Sequence, residues 1–356
     1  MAFTFPVNVH ELIGERESQW IGIGVPAQVI ADVQSRVVDM WLDGPGGWAN
    51  EWSAAASDAE RGGDLLQASL LYGIAKFPVL AGEPHRKAYA NQLRTYLQAS
   101  DGFEVGFQRH LVDVSFRGSV AQVPTHVFQP AGLPDDAPLV LLLSGVDTWK
   151  MEIHRLAVGT AQALGARVAT VDMAGTGEST VPNGTDGELY LAGVLDWLRT
   201  RFPASRKAGA VGFSFGGHWT TKLALTHRVD VAISVGGLVD AAFGTESVSQ
   251  LQFGMKDIFA NSLHLDAEPT MDDVIAAMAP FSLRAQGLLD DWGDNPVPFL
   301  TVNGDRDPHV PNSDVTVFAD RPETIARLVP GATHCAAEAL GEVVPWMLQW
   351  LGAQLS

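Results

Sequence analysis

The sequence predicts an α/β protein: a mostly parallel sheet with helices on its faces, a helical domain before it and a helical insertion within it. Three observations carry this. From residue 106 onward, short apolar runs of strand length alternate with segments of helical periodicity. That alternation gives a parallel sheet with right-handed crossovers. One strand-to-helix junction holds a serine between glycines, G-F-S-F-G at residues 212–216. The first 105 residues, by contrast, have helical spacing and few strand-like runs.

Composition bounds the chemistry. The chain has 356 residues, 46% of them hydrophobic, enough for one large core and an accessory domain. Its 41 acidic and 23 basic residues leave a net charge of −18. Such a surface repels phosphate backbones, so nucleic acid is not an expected partner. The single cysteine, Cys335, excludes an intrachain disulfide and fits a reducing compartment. The N-terminus reads as no signal peptide, and no apolar run reaches membrane-spanning length. The expectation is a soluble cytoplasmic protein with no membrane partner.

In the first region, 1–105, residues 26–41 place Val29, Ile30, Val33, Val37 and Met40 at helical spacing, with Pro26 suited to a first turn. Residues 48–59, 63–77 and 85–97 are further helices. From residue 106 the pattern changes. Residues 111–116 and 124–129 alternate as an antiparallel pair. Residues 138–143 form an apolar run typical of a strand buried on both faces. A helix over 152–164, a strand over 167–171, a helix over 188–202 and a strand over 208–213 follow, then a strand over 231–235. The rhythm stops over 240–294, read as a helical lid with helices at 250–261 and 271–279. Strands at 297–302 and 323–328 and a helix at 342–351 complete the core, which thus comprises 106–239 and 295–356.

The serine junction is the chemical centre. Strand, sharp turn and helix with a central serine form a nucleophile elbow, which lifts Ser214 Oγ above the sheet. The Phe215 N–H then stands at a helix N-terminus, suited to an oxyanion. A serine nucleophile needs a base, and the base needs a carboxylate; in an α/β-hydrolase core they follow in the order Ser, acid, His. The acid is expected after the 297–302 strand, in N-G-D-R-D-P-H-V-P at 303–311. Asp307 is the first choice, since this turn commonly reads G-x-x-D-x-x-V-P; Asp305 and Asp240 are the alternatives. His334, on the loop before the last helix, is the expected base, with His309 and His218 as alternatives. Cys335 beside it is read as a buried apolar residue. The second oxyanion donor is expected after the 138–143 strand, at the Val146 N–H behind Gly145. Asp147 is then either an active-site acid or an N-cap for the following helix, a role Thr148 could fill equally. Trp149, Phe215, His218, Phe253, Met255 and Phe281 are pocket candidates, each of which would serve equally as core. No metal set and no dinucleotide fingerprint occurs, so no cofactor is expected.

Four motifs carry a family resemblance: K-F-P at 76–78, G-V-D-T-W-K-M-E at 145–152, the D-x-x-G-x-G-x-S turn at 172–179 and G-F-S-F-G-G at 212–217. The chain resembles the FrsA-like group of α/β-hydrolases, which includes the 2,6-dihydroxypseudooxynicotine hydrolases and fungal polyketide-shortening hydrolases. Ser144 and His218 depart from its usual glycine and aromatic residue. The resemblance implies hydrolysis of a C–C bond next to a ketone, or of an ester, in an aromatic or polyketide-like molecule. It matches Ser214, Asp307 and His334 to nucleophile, acid and base, and Asp147 to the family's additional acid. The expected partner is a small-molecule substrate, with a homodimer left open. The alternatives are an acyltransferase, cyclase or lyase using the same site, and a non-catalytic binding protein on this scaffold.

Overall fold

The computed structural model describes residues 2–290 and 296–356. The expected lid–core boundary at 294/295 lies outside the described residues. In chain order the elements begin with α1 (Val9–Ile23), α2 (Ala27–Gln34), α3 (Trp48–Arg61), α4 (Leu65–Lys76) and α5 (Glu83–Ala99). Next come β1 (Gly106–Phe116), β2 (Ser119–Gln129), β3 (Leu139–Leu143), α6 (His154–Leu164), β4 (Arg167–Val171), α7 (Gly187–Arg201), β5 (Ala208–Phe213), α8 (Phe215–Leu225) and β6 (Val231–Val235). The chain continues with α9 (Thr245–Ser249), α10 (Met255–Ser262), α11 (Met271–Met278), β7 (Phe299–Gly304), α12 (Ser313–Thr316), β8 (Thr324–Val329) and α13 (Leu340–Leu355). Among the described residues no helix is long and apolar enough to cross a membrane.

The chain divides into two compact units. The first comprises Met1–Phe103, Met151–Arg155 and Phe253–Pro269. Its centre is aromatic: Trp20, Trp48 and Trp52 meet at centroid distances of 5.4–5.9 Å and are sealed from solvent. Within it Lys76 lies 3.3 Å from Glu152, whose Oε1 also accepts from Gln92 at 2.8 Å. α1, which periodicity did not single out, is closed by the Asn8 side chain at its start and left-handed Gly24 at its end. The helix expected over 26–41 stops at Gln34. Beyond it, the Asp39 carboxylate accepts from the Trp41 and Leu42 N–H groups and turns the chain over 39–42. Val37 and Met40 stay buried without being helical.

The second unit comprises Glu104–Lys150, Leu156–Gln252 and Thr270–Ser356. It holds one eight-stranded sheet of order β1-β2-β4-β3-β5-β6-β7-β8. β2 pairs antiparallel with β1 and β4, and every other pairing is parallel. The β1–β2 hairpin is longer than its alternation suggested, because Arg117 and Gly118 both take positive φ and make a two-residue turn. β3, β4, β6 and β7 are buried at every residue, the mark of strands covered on both faces. A Cβ on Gly209 would meet Leu351 and Leu355 of α13, whereas one on Gly212 would meet the first turn of α8. Three residues apart on a strand means opposite faces, so α8 and α13 cover opposite sides of the sheet.

The segment 240–294 is not one lid. Phe253–Pro269 belongs to the first unit, and of the helix expected over 250–261 only α10 forms, beginning at Met255; α9 ends before that range, at Ser249. Phe253 and Gly254, both at positive φ, keep the residues before Met255 out of the helix. The turn that leaves β6 is held by Asp314, whose carboxylate accepts from the N–H groups of Val239, Asp240, Ala241 and Ala242.

Candidate active site

The site stands at the C-terminal ends of β3, β5, β7 and β8, where an open α/β sheet leaves its crevice. Ser214 ends β5 with φ 54° and ψ −124°, a conformation a residue with a Cβ rarely holds. Two bonds maintain it: its N–H donates to Val235 O and its carbonyl accepts from Gly217 N, both at 2.8 Å. A Cβ at position 212 would lie 2.1 Å from Gly216 O, and one at position 216 would lie 2.4 Å from Ser144 O. The turn therefore closes only with glycine at both places.

Ser214, His334 and Asp307 come together although 120 residues separate the first two. His334 Nε2 is 2.8 Å from Ser214 Oγ, and Nδ1 is 2.6 Å from Asp307 Oδ2. A carboxylate only accepts, so Nδ1 carries the proton and Nε2 presents a lone pair to the serine hydroxyl. Asp307 is fully engaged. Its Oδ2 also accepts from Asn303 Nδ2 at 2.7 Å, and its Oδ1 from the N–H groups of His309 and Val310 at 2.7 and 3.1 Å. Burial works to raise the Asp307 carboxyl. The His334 imidazole, the Asn303 amide and the His309 N–H outweigh it and hold it down at about 2. Burial likewise works against a charged His334, but the Asp307 carboxylate, and Cys335 after it, raise His334 well above the ordinary histidine range.

The other residues considered for these positions do different work. Asp305 accepts from Gly331 N at 2.7 Å and staples the turn before His334. Asp240 accepts from Ser282 Oγ and Arg284 Nε. His309 stands edge-on to His334, ring centroids 5.6 Å apart, and its backbone serves Asp307. Asn303 was not assigned a part from sequence. It is buried at the end of β7, donates to Asp307 and accepts from Cys335 N at 2.9 Å. A polar amide near the end of a mainly apolar strand is the signal for it.

The loop after β3 brings Val146 and Asp147 to the same end of the sheet. A Cβ on Gly145 would lie 3.4 Å from Asp147 Oδ1 and 3.6 Å from Ser214 Oγ. Those two oxygens are therefore at most about 7 Å apart, the sum of the two distances. Asp147 is buried, and Thr148 Oγ1 stands 3.4 Å from its Oδ1. Because α6 begins only at His154, neither Asp147 nor Thr148 is in place to cap it. The Trp149 indole donates to Val146 O at 3.1 Å and so braces this loop from within. Phe215 opens α8, next to Ser214.

The expected pocket residues are not one open surface. His218 is completely sealed and stacks on Phe215 at 5.1 Å, with Phe243 and Phe281 around it. Its Nδ1 bonds Leu238 O at 3.0 Å, and burial pushes the ring down to about 3, so it is neutral. Phe281, only 2% exposed, belongs to the same packed cluster. Phe253 and Met255 lie in the first unit, where Met255 Sδ is 3.5 Å from the Arg16 guanidinium. Cys335 is half-buried rather than buried. It holds φ 59°, and its thiol donates to Val235 O at 3.3 Å.

Comparison with known proteins agrees with this architecture. Residues 16–330 match the family model described as esterase FrsA-like. The esterase FrsA of Vibrio vulnificus strain YJ016 is 24% identical over 337 residues, covering 85% of this chain and 79% of that protein. Among solved structures, wild-type AbyA5 superposes with a TM-score of 0.79 at 21% identity, covering 96% of this chain and 94% of the other. A 2,6-dihydroxy-pseudo-oxynicotine hydrolase gives 0.76 at 23% identity, covering 95% of each chain. These superpositions establish a shared fold, and the match over 16–330 makes the chain a member of the FrsA-like esterase family, within the α/β-hydrolase superfamily.

Proposed function

We propose that the chain is a cofactor-independent serine hydrolase that cleaves an ester, or a C–C bond next to a ketone, in an aromatic or polyketide-like small molecule. The observation that carries it is the unbroken hydrogen-bonded line from Ser214 Oγ through His334 to Asp307. Ser214 Oγ attacks the substrate carbonyl carbon and its proton passes to His334 Nε2. Asp307 stabilises the imidazolium that results. The Val146 and Phe215 N–H groups receive the developing oxyanion. Collapse expels the leaving group and leaves an acyl-enzyme, which water, activated by His334, hydrolyses.

Leaving groups separate the two substrate classes. An ester releases an alkoxide, and His334 returns the proton to that oxygen. A C–C bond releases an enolate or carbanion, a poorer leaving group that takes its proton at another point. Asp147, buried and within about 7 Å of Ser214 Oγ, is suited to supply it; the proton held by His334 then passes to the Asp147 carboxylate, which restores the acid and frees His334 to activate water. This role needs Asp147 protonated. Membership of an esterase family supports the ester reaction, and Asp147 is the support for C–C cleavage.

The test has two parts. A fluorophosphonate probe should label the chain at Ser214 alone, and Ser214→Ala should abolish turnover while the fold is kept. Labelling elsewhere, or an active variant, would sink the serine mechanism. Asp147→Asn should retain hydrolysis of an activated aryl ester and lose about 10²–10⁴-fold on a β-diketone or aryl ketone. Equal loss on both would reduce Asp147 to a structural part of its loop.

A further inference from the structure

One buried ionic cluster beside the site plays no part in the reaction above. Lys150, which is completely sealed, directs Nζ to Asp172 Oδ2 and, at 2.8 Å, to Glu178 Oε2. Its backbone N–H donates to the other oxygen of the same aspartate, Oδ1, at 2.9 Å. Asp172 Oδ2 also accepts from Glu178 N at 3.0 Å, and Glu178 Oε1 from the Arg109 guanidinium at 2.7 Å. Two cations face two carboxylates, so the group is balanced in charge.

Its position is what matters. Lys150 closes the loop that follows β3, and Asp172 is the first residue after β4, the parallel neighbour of β3. The cluster therefore ties the end of the Val146 loop to the turn on the adjacent strand. At its start the loop is confined by the close approach of Ser144 O to Gly216 in the first turn of α8, and in its middle by the Trp149 indole on Val146 O. The turn after β4 is shaped to receive the aspartate: Gly177 takes φ 52°, and a Cβ there would lie 2.1 Å from Asp172 Oδ2. Ion clusters of this kind add little net stability over packed apolar residues, but their bonds are directional and specify one arrangement.

We propose that Lys150 is the positioning residue of the oxyanion loop: through Asp172 and Glu178 it determines where the Val146 N–H stands relative to Ser214. The inference rests on the serine-hydrolase reading. A misplacement of an ångström at such a donor costs about 10²-fold in rate. In the full chain, Lys150→Met should lower kcat on a p-nitrophenyl ester by about 10²-fold while KM changes by less than about threefold. Affinity for an aryl trifluoromethyl ketone, whose adduct places an oxyanion in the hole, should fall in parallel with kcat. A folded Lys150→Met with wild-type kcat and wild-type ketone affinity overturns the proposal. If Lys150→Met does not fold, Glu178→Gln takes its place, since it keeps the side-chain shape and the Lys150–Asp172 contact. A loss of about tenfold in kcat and ketone affinity at constant KM is expected there, and wild-type values overturn the proposal. Activity retained by Ser214→Ala would instead remove the reading beneath it, so the two failures are distinguishable.

Discussion

Replacing Asp307 with asparagine tests the site at the point where its hydrogen bonds leave least freedom. Four donors surround the carboxylate. Two are the backbone N–H groups of His309 and Val310 on Oδ1; the others are Asn303 Nδ2 and His334 Nδ1 on Oδ2. The backbone donors cannot reverse, so the new amide must turn its oxygen to them and its NH₂ to the other side. Asn303 cannot reverse either without losing the Cys335 N–H, which it accepts at 2.9 Å. His334 Nδ1 must then become the acceptor, and its proton moves to Nε2, where it faces Ser214 Oγ as a donor. The imidazole can no longer take the serine proton. A forced wrong tautomer in such a triad costs about 10⁴-fold in kcat. The opposed amide groups should destabilise the fold by about 1–3 kcal/mol. The assay is kcat and KM on an activated aryl ester across pH 5–9, with thermal unfolding beside it. Asp305→Asn, which disturbs only a turn, should stay within about threefold of wild type. Asp307→Asn within tenfold of wild type, or an equal loss in Asp305→Asn, would refute the assignment.

Further outcomes follow from the same geometry. Since His334 must be neutral to act and Asp307 raises its pKa, the acid limb of kcat/KM should have its midpoint above about 6.5, and a midpoint below that would contradict the pairing. Stability carries the same signature. His334, raised on folding, contributes fully below about 6.5 and loses that as pH rises through its folded value. Asp307, lowered from 3.8 to about 2, contributes above 3.8 and loses that as pH falls through about 2. The destabilisation of Asp307→Asn, read from urea unfolding, should therefore be largest between about pH 4 and 6.5 and shrink on either side. Gly216→Ala should destabilise by about 1–3 kcal/mol, because its Cβ would come 2.4 Å from the fixed carbonyl of Ser144. Normal stability and activity in that variant would mean that the loop after β3 yields freely.

The sequence by itself determined the fold class, because strand burial and helix periodicity are local signals that each segment states alone. It also located the elbow, since Gly212 and Gly216 are demanded by a turn five residues long. Helix ends were less legible. The helix begun at Pro26 stops at Gln34, ahead of a turn that the Asp39 side chain holds, and a pair of positive-φ residues delays the helix expected over 250–261 until Met255. Periodicity does not register either device. Only the tertiary structure decided which aspartate meets His334. Asp305 and Asp307 lie two residues apart in one turn, and their difference is the direction of a side chain set by the end of β7. The burial of His218 and the clamp of Lys150 on Asp172 were likewise decided in three dimensions. Both depend on which strands become neighbours, and strand order arises from packing between segments far apart in the chain. The physical reason is the range of the forces. Backbone propensity and the hydrophobic pattern act within a few residues, whereas a buried hydrogen bond or ion pair takes its partners from wherever the fold brings them.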